Sequence, residues 1–310
     1  MDKPAPLVTV VVPTYNHENY VLDCITSILE EDYPAIELIV INDGSTDSTD
    51  LRIRGFIKKS GRGFKYISKP NEGVCRTMNL GLGMAKGKYF CEVCSDDILL
   101  PGGIRKRVDY LEANPAVDAV FGHVEMMDAS GRSFDREGEG RKKAYTSADH
   151  TFEDFVKGDA FIIVHAGMYK TSVLRDLKVF DGDFYTEDTY AQCLLAMHPN
   201  IASIGETVLR YRRHDTNISK TMRLSIRRDK VMAFEKLYAS AGEGRLKEVI
   251  RRQLFTEYLK YVKVGLQQGV NRGLLTREVG KAIGIRPWSF KAFYYMLVCM
   301  MRGRLDKRRA

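Results

Sequence analysis

The 310 residues include 48 lysines and arginines and 40 aspartates and glutamates, a net charge of +8, and 44% of them are hydrophobic. This composition indicates a globular protein with a proper core. The first ten residues, MDKPAPLVTV, lack a basic segment followed by a long apolar run, and no apolar stretch reaches bilayer length, so we expect neither a signal peptide nor a spanning helix. Six scattered cysteines are typical of reduced thiols in a cytosolic protein.

The charge is unevenly distributed. Residues 223–310 hold 21 lysines and arginines and 7 acids, a net charge of +14, which leaves residues 1–222 at −6. Strand signals also end near Arg223. We therefore predict two regions, 1–221 and a basic helical region 222–310. A basic segment favours an anionic partner surface, and the absence of a nucleic-acid motif argues against nucleic acid.

The first third of the chain alternates between strands and helices. Buried strands are predicted at 8–12, 37–41, 64–68 and 89–94, and helices at 17–30, 47–59, 73–86 and 101–114. This alternation predicts a parallel sheet with helices on its faces. The polar loops at the strand carboxyl ends are Thr14-Tyr15-Asn16, Asp43-Gly44-Ser45, Asn71-Glu72-Gly73 and Ser95-Asp96-Asp97. In such a sheet these loops lie side by side and form a polar crevice.

Two adjacent carboxylates, Asp96 and Asp97, follow the fourth predicted strand. Like charges repel, so the pair is costly unless a cation or hydroxyl groups use it. Mg²⁺ and Mn²⁺ take oxygen ligands of this kind, often together with substrate phosphates. The alternative is a solvated turn that caps the helix beginning near Pro101. These residues alone leave both readings open.

Cys91 and Cys94 form a single C-x-x-C. An odd separation on a strand directs the two side chains to opposite faces, and no second cysteine pair completes a zinc site. We therefore predict two buried thiols with no metal.

In the second third of the chain, the residue pattern predicts strands at 117–127, 161–169, 201–204 and 207–211. It also predicts an exposed loop at 129–147 and a helix that begins at 152. Glu187 and Asp188 open a further predicted helix that runs to about residue 197. Acids at a helix N-terminus complement its dipole, which is the alternative to a chemical role for this pair.

The last region is predicted as helices at 224–239, 246–266 and 287–301. The third helix is rich in aromatic residues and has a basic end. Such a helix can lie in a membrane interface, where lysine and arginine meet anionic lipid. The alternative is a helix packed on the rest of the protein with a solvated tail.

Five segments in order resemble the motifs of family 2 inverting glycosyltransferases with the GT-A fold. They are Val8-Thr-Val-Val-Val-Pro-Thr-Tyr-Asn16, Ile41-Asn-Asp-Gly-Ser45, Asn71-Glu-Gly with Arg76 and Asn79, Ser95-Asp96-Asp97 and Glu187-Asp188. The resemblance covers roughly residues 6–216. It implies a GT-A domain, an α/β fold with a mainly parallel sheet flanked by helices, followed by a helical extension.

The resemblance also implies roles for individual residues. Asp43 would bind the base of a sugar nucleotide, UDP being expected, and Pro13, Thr14, Tyr15 and Arg76 would line the nucleotide pocket. Asp96 would approach the ribose. Asp97 would ligate Mn²⁺ or Mg²⁺ at the diphosphate, with His214 close by as a second metal-site residue. Asp188 would be the general base, and Asn71 and Glu187 would contact donor or acceptor.

The implied activity is sugar transfer to a hydroxyl of a glycan or lipid-linked acceptor in cell-surface polysaccharide synthesis. The implied place is the cytoplasm, peripheral to the inner face of the membrane. Two departures from the family pattern, Cys94 and Asn42, stand where acids are usual and lower the local negative charge. The alternatives are a non-catalytic nucleotide-sugar or glycan-binding protein and a nucleotidyltransferase. The triphosphate loop expected of the latter after the first strand is absent.

Overall fold

The computed structural model describes residues 4–134, 143–144 and 146–306. The chain divides into two units, Met1–His214 and Asp215–Ala310. Of the predicted exposed loop 129–147, residues 135–142 and 145 lie outside the described residues, as does the basic tail 307–310.

The strands of the described residues are β1 (Val8–Thr14), β2 (Ile36–Asp43), β3 (Lys65–Lys69), β4 (Tyr89–Glu92), β5 (Ile98–Leu99), β6 (Ala119–Asp128), β7 (Lys143–Ala144), β8 (Ala160–Phe161), β9 (Gly167–Lys170) and β10 (Ile201–Arg213). The helices of the first unit are α1 (Val21–Leu29), α2 (Thr49–Ser60), α3 (Val74–Met84), α4 (Gly103–Ala113), α5 (Phe152–Lys157), α6 (Thr171–Leu177) and α7 (Asp188–Ala196), with a 3₁₀ turn at Val164–Ala166. Those of the second unit are α8 (Ile218–Thr221), α9 (Arg223–Ser240), α10 (Arg245–Gln267), α11 (Arg272–Ile285) and α12 (Phe290–Asp306).

The central sheet has the strand order β3-β2-β1-β4-β9-β6-β10-β5. Strands β3, β2, β1 and β4 are parallel, as are β6 and β10, whereas β9 and β5 pair antiparallel. The predicted mainly parallel sheet flanked by helices is confirmed. The continuous β-branched run of β1 explains its central place, because a strand covered on both faces needs apolar side chains at every position.

Three details differ from the sequence prediction. The predicted strand 161–169 is instead β8, a 3₁₀ turn and β9, and β9 inserts between β4 and β6. The two strands predicted at 201–204 and 207–211 are one, β10, because irregular pairing opposite β6 accommodates the exposed residues 205–207 without ending the strand. Strand β4 ends at Glu92, so Cys94 lies in the turn beyond it and the strand argument for opposite faces does not apply.

The second unit is helical, as predicted. Helices α9, α10, α11 and α12 pack in sequence, each against the next. Tyr258 of α10 donates a 2.5 Å hydrogen bond to Glu235 of α9, and Arg227 pairs with the buried Glu257 at 3.2 Å. Helix α11 was not predicted. Within the described part of the chain, none of the helices combines the length and apolar character that crossing a bilayer would require.

Gly87 fixes the approach of the chain to β4. A Cβ on this residue would lie 2.5 Å from the Thr9 nitrogen and 2.6 Å from the Tyr89 oxygen, both backbone atoms that cannot yield. We expect Gly87→Ala to lower the free energy of unfolding by about 3 kcal/mol or more, because the β1–β4 pairing must shift. Gly83→Ala, with no atom within 4 Å of its Cβ, is the control and should stabilise helix α3 by about 0.5–1 kcal/mol. Equal midpoints for the two variants in urea unfolding would contradict this account.

Candidate active site

The carboxyl ends of β2, β1 and β4 bring three polar loops to one edge of the sheet. Thr14 pairs with Asn42 across β1 and β2, and Val11 pairs with Glu92 across β1 and β4. The loops that follow β2 and β4 are therefore separated by two strand spacings, about 10 Å. The loops that follow these strands thus lie at one edge of the sheet. Pro13 and Thr14 end β1, and Tyr15 follows with its ring half exposed.

Asp43 lies buried at the end of β2, where its carboxylate is fully engaged. The backbone N–H groups of Glu72 and Gly73 each donate to it at 2.9 Å, and Lys69 forms an ion pair with it. Asp43 thus holds the loop that opens α3 in addition to any contact with a ligand.

The same loop is tied to β2 by Gly44, which has a φ of +70° and would place a Cβ 2.6 Å from the Asn71 nitrogen. Only glycine suits both the left-handed conformation and this close approach. Asn71 therefore lies beside Asp43. Arg76 is exposed on α3 and lies along the segment before α7. A Cβ added to Gly182 of that segment would lie 3.3 Å from Arg76 Nε.

Asp96 and Asp97 are both buried in the turn after β4, and strand β10 holds them there. The backbone N–H of Arg212 donates to Asp97 Oδ1 at 2.9 Å, and its Nε donates to the Asp96 carbonyl at 2.8 Å. His214 Nε2 lies 3.0 Å from Asp96 Oδ2. Burial by itself raises the pKa of Asp96, but His214 and His17 hold it below its usual value.

His17 and Tyr20 join this group, and the sequence analysis did not select them. His17 Nδ1 lies 2.7 Å from Ser95 Oγ and 4.0 Å from Asp96 Oδ1. The ring of Tyr20 lies 4.8 Å from that of His214, and the Arg212 guanidinium stacks over it, also at 4.8 Å. The signal for His17 was its place directly after the loop that follows β1.

The acids at the end of β4 fit a divalent cation. Asp97 Oδ2 is buried and receives no hydrogen bond from any described residue, and burial and then Asp96 raise the pKa of Asp97 well above its usual value. Donor atoms of Cys94, Asp96 and Asp97 lie within 4.8 Å of one another, and so do those of His17, Asp96 and His214. A buried acid with an unused oxygen beside a second acid is stabilised by a bound cation. Carboxylate oxygens suit Mg²⁺ or Mn²⁺.

Asp188 and the paired acids all act electrostatically on one side chain, Tyr211 of β10. Burial raises the pKa of Tyr211, and the charges of Asp97, Asp96 and Asp188 raise it further. Asp188 begins α7, is partly exposed and accepts a 3.3 Å hydrogen bond from Thr189. The charge of Asp188 therefore acts on the same tyrosine as the charges of the acids of the β4 turn.

Glu187, in contrast, is turned into the protein. Its Oε1 lies 3.8 Å from His165 Nε2, and burial, followed by Glu92, raises the pKa of Glu187 to about 8. The neighbouring residues Glu187 and Asp188 thus have different surroundings, since Glu187 is buried and Asp188 is partly exposed.

Comparison with known proteins identifies the family. The model of "Glycosyl transferase family 2" matches residues 9–177, more than half of the chain. The chain belongs to glycosyl transferase family 2. The matched residues include Asp43, Asp96 and Asp97 but not Glu187 and Asp188.

Two glycosyltransferases illustrate the similarity. Glycosyltransferase GlyG of Streptococcus pneumoniae serotype 4 is 27% identical over 277 residues, which is 84% of this chain and 89% of the relative. An uncharacterized glycosyltransferase of Haemophilus influenzae is 43% identical over 123 residues, 39% of this chain and 38% of the relative. The chain thus matches less than two fifths of the length of that relative.

Solved structures show the same fold. The structure of TarS of S. aureus aligns with a TM-score of 0.65 and 17% identity, and the alignment covers 91% of this chain and 49% of TarS. The shorter TarS 1–349, in complex with UDP-GlcNAc, aligns with a TM-score of 0.62, and that alignment covers 90% of this chain and 81% of TarS 1–349. The mannosyltransferase PcManGT of Pyrobaculum calidifontis, in complex with GDP-Man and Mn²⁺, gives 0.56 at 18% identity over 97% and 88%. The predicted GT-A fold is confirmed.

Proposed function

We propose that this protein is a metal-dependent inverting glycosyltransferase that moves a sugar from a nucleotide-sugar donor, a UDP-sugar, to a hydroxyl of a glycan or lipid-linked acceptor. The observation that carries the proposal is the pair of buried acids after β4: Oδ2 of Asp97 receives no hydrogen bond from the described residues, and donor atoms of Cys94, Asp96 and Asp97 lie within 4.8 Å of one another. The setting we propose is cell-surface polysaccharide synthesis at the inner face of the membrane.

The donor would lie over the ends of β1 and β2. Asp43 and Asn71 would face the base, with Pro13, Thr14, Tyr15 and Arg76 around it. The buried Thr14 hydroxyl has no hydrogen-bond partner among the described residues, which supports a contact to the ligand. The complexes of TarS with UDP-GlcNAc and of PcManGT with GDP-Man show that proteins of this fold take such donors.

Asp97 and His214 would hold the divalent cation, and Asp96 would contact the ribose. A bound cation supplies positive charge that stabilises the nucleoside diphosphate as it leaves. Arg212 keeps both acids in place through its backbone N–H and its guanidinium. This leaves Oδ2 of Asp97 free of protein hydrogen bonds within the described residues and able to face a cation.

Asp188 would act as the general base. A sugar hydroxyl is a poor nucleophile, and a carboxylate that removes its proton as it attacks the anomeric carbon accelerates the step. Attack on the face opposite the leaving diphosphate inverts the anomeric configuration. The partial exposure of Asp188 supports this role, because the acceptor must reach it from solvent.

The proposal is tested by a screen of sugar nucleotides with Mn²⁺, first by thermal shift and then by release of nucleoside diphosphate with glycan acceptors. A bound donor should raise the melting temperature, since it stabilises only the folded state. Binding with no transfer to any acceptor would favour the non-catalytic alternative. Release of pyrophosphate from a nucleoside triphosphate would favour a nucleotidyltransferase.

Asp43→Ala is expected to weaken nucleoside diphosphate binding at least tenfold and to cost about 1.5–3 kcal/mol of unfolding free energy, because two backbone N–H groups lose a charged acceptor. Asp50→Ala is the matched control. Asp50 also accepts hydrogen bonds, from Tyr66 and Arg54, but lies on α2. Isothermal titration should show unchanged nucleotide affinity for this control. Equal affinities for the two variants would refute the nucleotide-site assignment of Asp43.

Helix α12 supports a peripheral association with anionic membranes. Its exposed large side chains recur at helical spacing on one face, while Ala292 and Cys299 are buried on the other. The exposed set is Phe290, Phe293, Tyr294, Leu297 and Met300, with Trp288 just before the helix. An apolar face of this kind, within a region that is strongly basic in sequence, suits the interface of an anionic bilayer.

Leu297→Glu should reduce binding to vesicles that contain phosphatidylglycerol by about tenfold or more, because it places a charge in the apolar face. Leu274→Glu is the control, since Leu274 is also an exposed leucine but lies on α11. Co-sedimentation measures both. Identical sedimentation of the two variants, or none for the unaltered protein, would remove the membrane proposal.

A further inference from the structure

A second group of potential metal ligands, two of them buried and two half-buried, lies beside the acids of the β4 turn. It consists of Glu92 at the end of β4, Cys94 two residues later, His165 in the 3₁₀ turn and Glu187 before α7. One donor atom from each of the four lies within 4.8 Å of every other. The sequence analysis found no zinc site here because it looked only for a second cysteine pair.

The distances within the group suit a small transition-metal ion. Cys94 Sγ lies 3.3 Å from His165 Nδ1, and that nitrogen lies 3.7 Å from Glu92 Oε1. In a tetrahedral zinc site, bonds of about 2.0–2.3 Å place neighbouring ligand atoms about 3.3–3.6 Å apart. Glu187 Oε1 approaches the same imidazole from its other side, at 3.8 Å from Nε2.

Glu92 is the strongest sign that something binds here. Its side chain is wholly buried, and neither carboxylate oxygen receives a hydrogen bond from the described residues. The imidazole of His165 lies 3.7 Å from Glu92, close enough for an ion pair but too far for a hydrogen bond. A buried carboxylate without hydrogen bonds is costly. One imidazole, two carboxylates and a thiol together supply the nitrogen, oxygen and sulfur donors that a divalent transition-metal cation takes.

We propose that Glu92, Cys94, His165 and Glu187 form a structural binding site for a transition-metal cation of the Zn²⁺ type, separate from the donor-binding cation at Asp97. A thiolate and an imidazole select zinc over magnesium or manganese. Binding releases to water the thiol proton of Cys94 and the protons that His165 and Glu187 hold in the metal-free protein, because each ligand coordinates in its deprotonated form. The cation joins the β4 turn, the 3₁₀ turn and the start of α7, the segments that carry Asp97 and Asp188.

The test is metal content, which does not depend on sugar transfer. The full chain is loaded with Zn²⁺, dialysed against metal-free buffer and analysed by mass spectrometry of the metal. We expect about one zinc per chain, retained in Asp97→Asn and reduced at least tenfold in Cys94→Ala. Cys91→Ala, the other cysteine of the pair and buried in the core, is the matched control and should keep its zinc.

Co²⁺ loading of the unaltered protein provides a second measurement that needs no variant. A thiolate-to-cobalt charge-transfer band, absent from Cys94→Ala and present in Cys91→Ala, is the expected result. Substoichiometric zinc in the unaltered protein, equal zinc in the two cysteine variants, or cobalt bound with no such band would overturn the proposal. The alternative is then that no metal ion binds at this site and that a protonated His165 forms ion pairs with Glu92 and Glu187. Loss of transfer activity with zinc retained would count against the proposed function only.

Discussion

Asp97→Asn is expected to reduce nucleotide-sugar turnover by about 10²–10³-fold, because a cation that stabilises the leaving diphosphate contributes several kcal/mol to the transition state. The asparagine oxygen can still accept the Arg212 N–H, so the turn after β4 should keep its shape. Stabilisation by Mn²⁺ with UDP in a thermal-shift assay should disappear together with activity.

The metal-free protein gives this variant a second, independent readout. Burial and the charge of Asp96 raise the pKa of Asp97 in the folded state, so the ionised form is disfavoured there. Wild-type stability relative to Asp97→Asn should therefore fall as pH rises above about 4, the ordinary pKa of an unfolded aspartate. Urea unfolding in chelator at several pH values measures the difference. If the stability of the wild-type protein relative to Asp97→Asn grew with pH, Asp97 could not be a buried carboxylate whose ionised form is disfavoured.

The control for Asp97→Asn is Asp109→Asn, an exposed aspartate on α4. It should leave turnover, the response to Mn²⁺ and the pH dependence of stability unchanged. Near wild-type turnover in Asp97→Asn itself would remove this residue from the metal site.

Asp188→Asn is expected to lower kcat by about 10²–10⁴-fold while leaving donor affinity within about twofold, because a general base acts in the transition state and not in donor binding. Asparagine preserves the size of the side chain but cannot take the acceptor proton. Transfer to acceptor and donor affinity are measured separately, by product formation and by titration with donor and Mn²⁺.

The matched control is Asp176→Asn, an exposed aspartate on α6. Its kcat should equal that of the unaltered protein. A loss of donor affinity in Asp188→Asn as large as its loss of kcat would show that Asp188 binds the donor and would exclude the base assignment.

The pattern of the first hundred residues was sufficient to predict the parallel half of the sheet. Strand β1 is a continuous β-branched run and each helix carries its own apolar spacing, so these signals are local and survive without tertiary context. Because parallel strands end at one edge, the sequence also predicted that Asp43 and Asp97 would follow strands at the same edge. Both residues lie there, and their roles in binding remain predictions.

Strand β9 shows what local patterns miss. It is short, antiparallel and inserted between β4 and β6, so it is defined by its neighbours and not by its own four residues. The predicted strand over 161–169 was wrong for this reason. Helix α11 was missed because its apolar positions have meaning only against the helices beside it.

By itself the sequence determined the alternating strands and helices, the order of the motifs and the separate basic region, because these depend on neighbours along the chain. Only the tertiary structure decided that Glu187 is buried against His165 while Asp188 is partly exposed. The same is true of the contacts of His17 and Arg212 with the acids of the β4 turn. Those contacts join residues that lie 22 to 116 positions apart. Folding of the whole sheet determines which side chains are in contact and which are shielded from water. The spacing of residues along the chain does not predict these contacts.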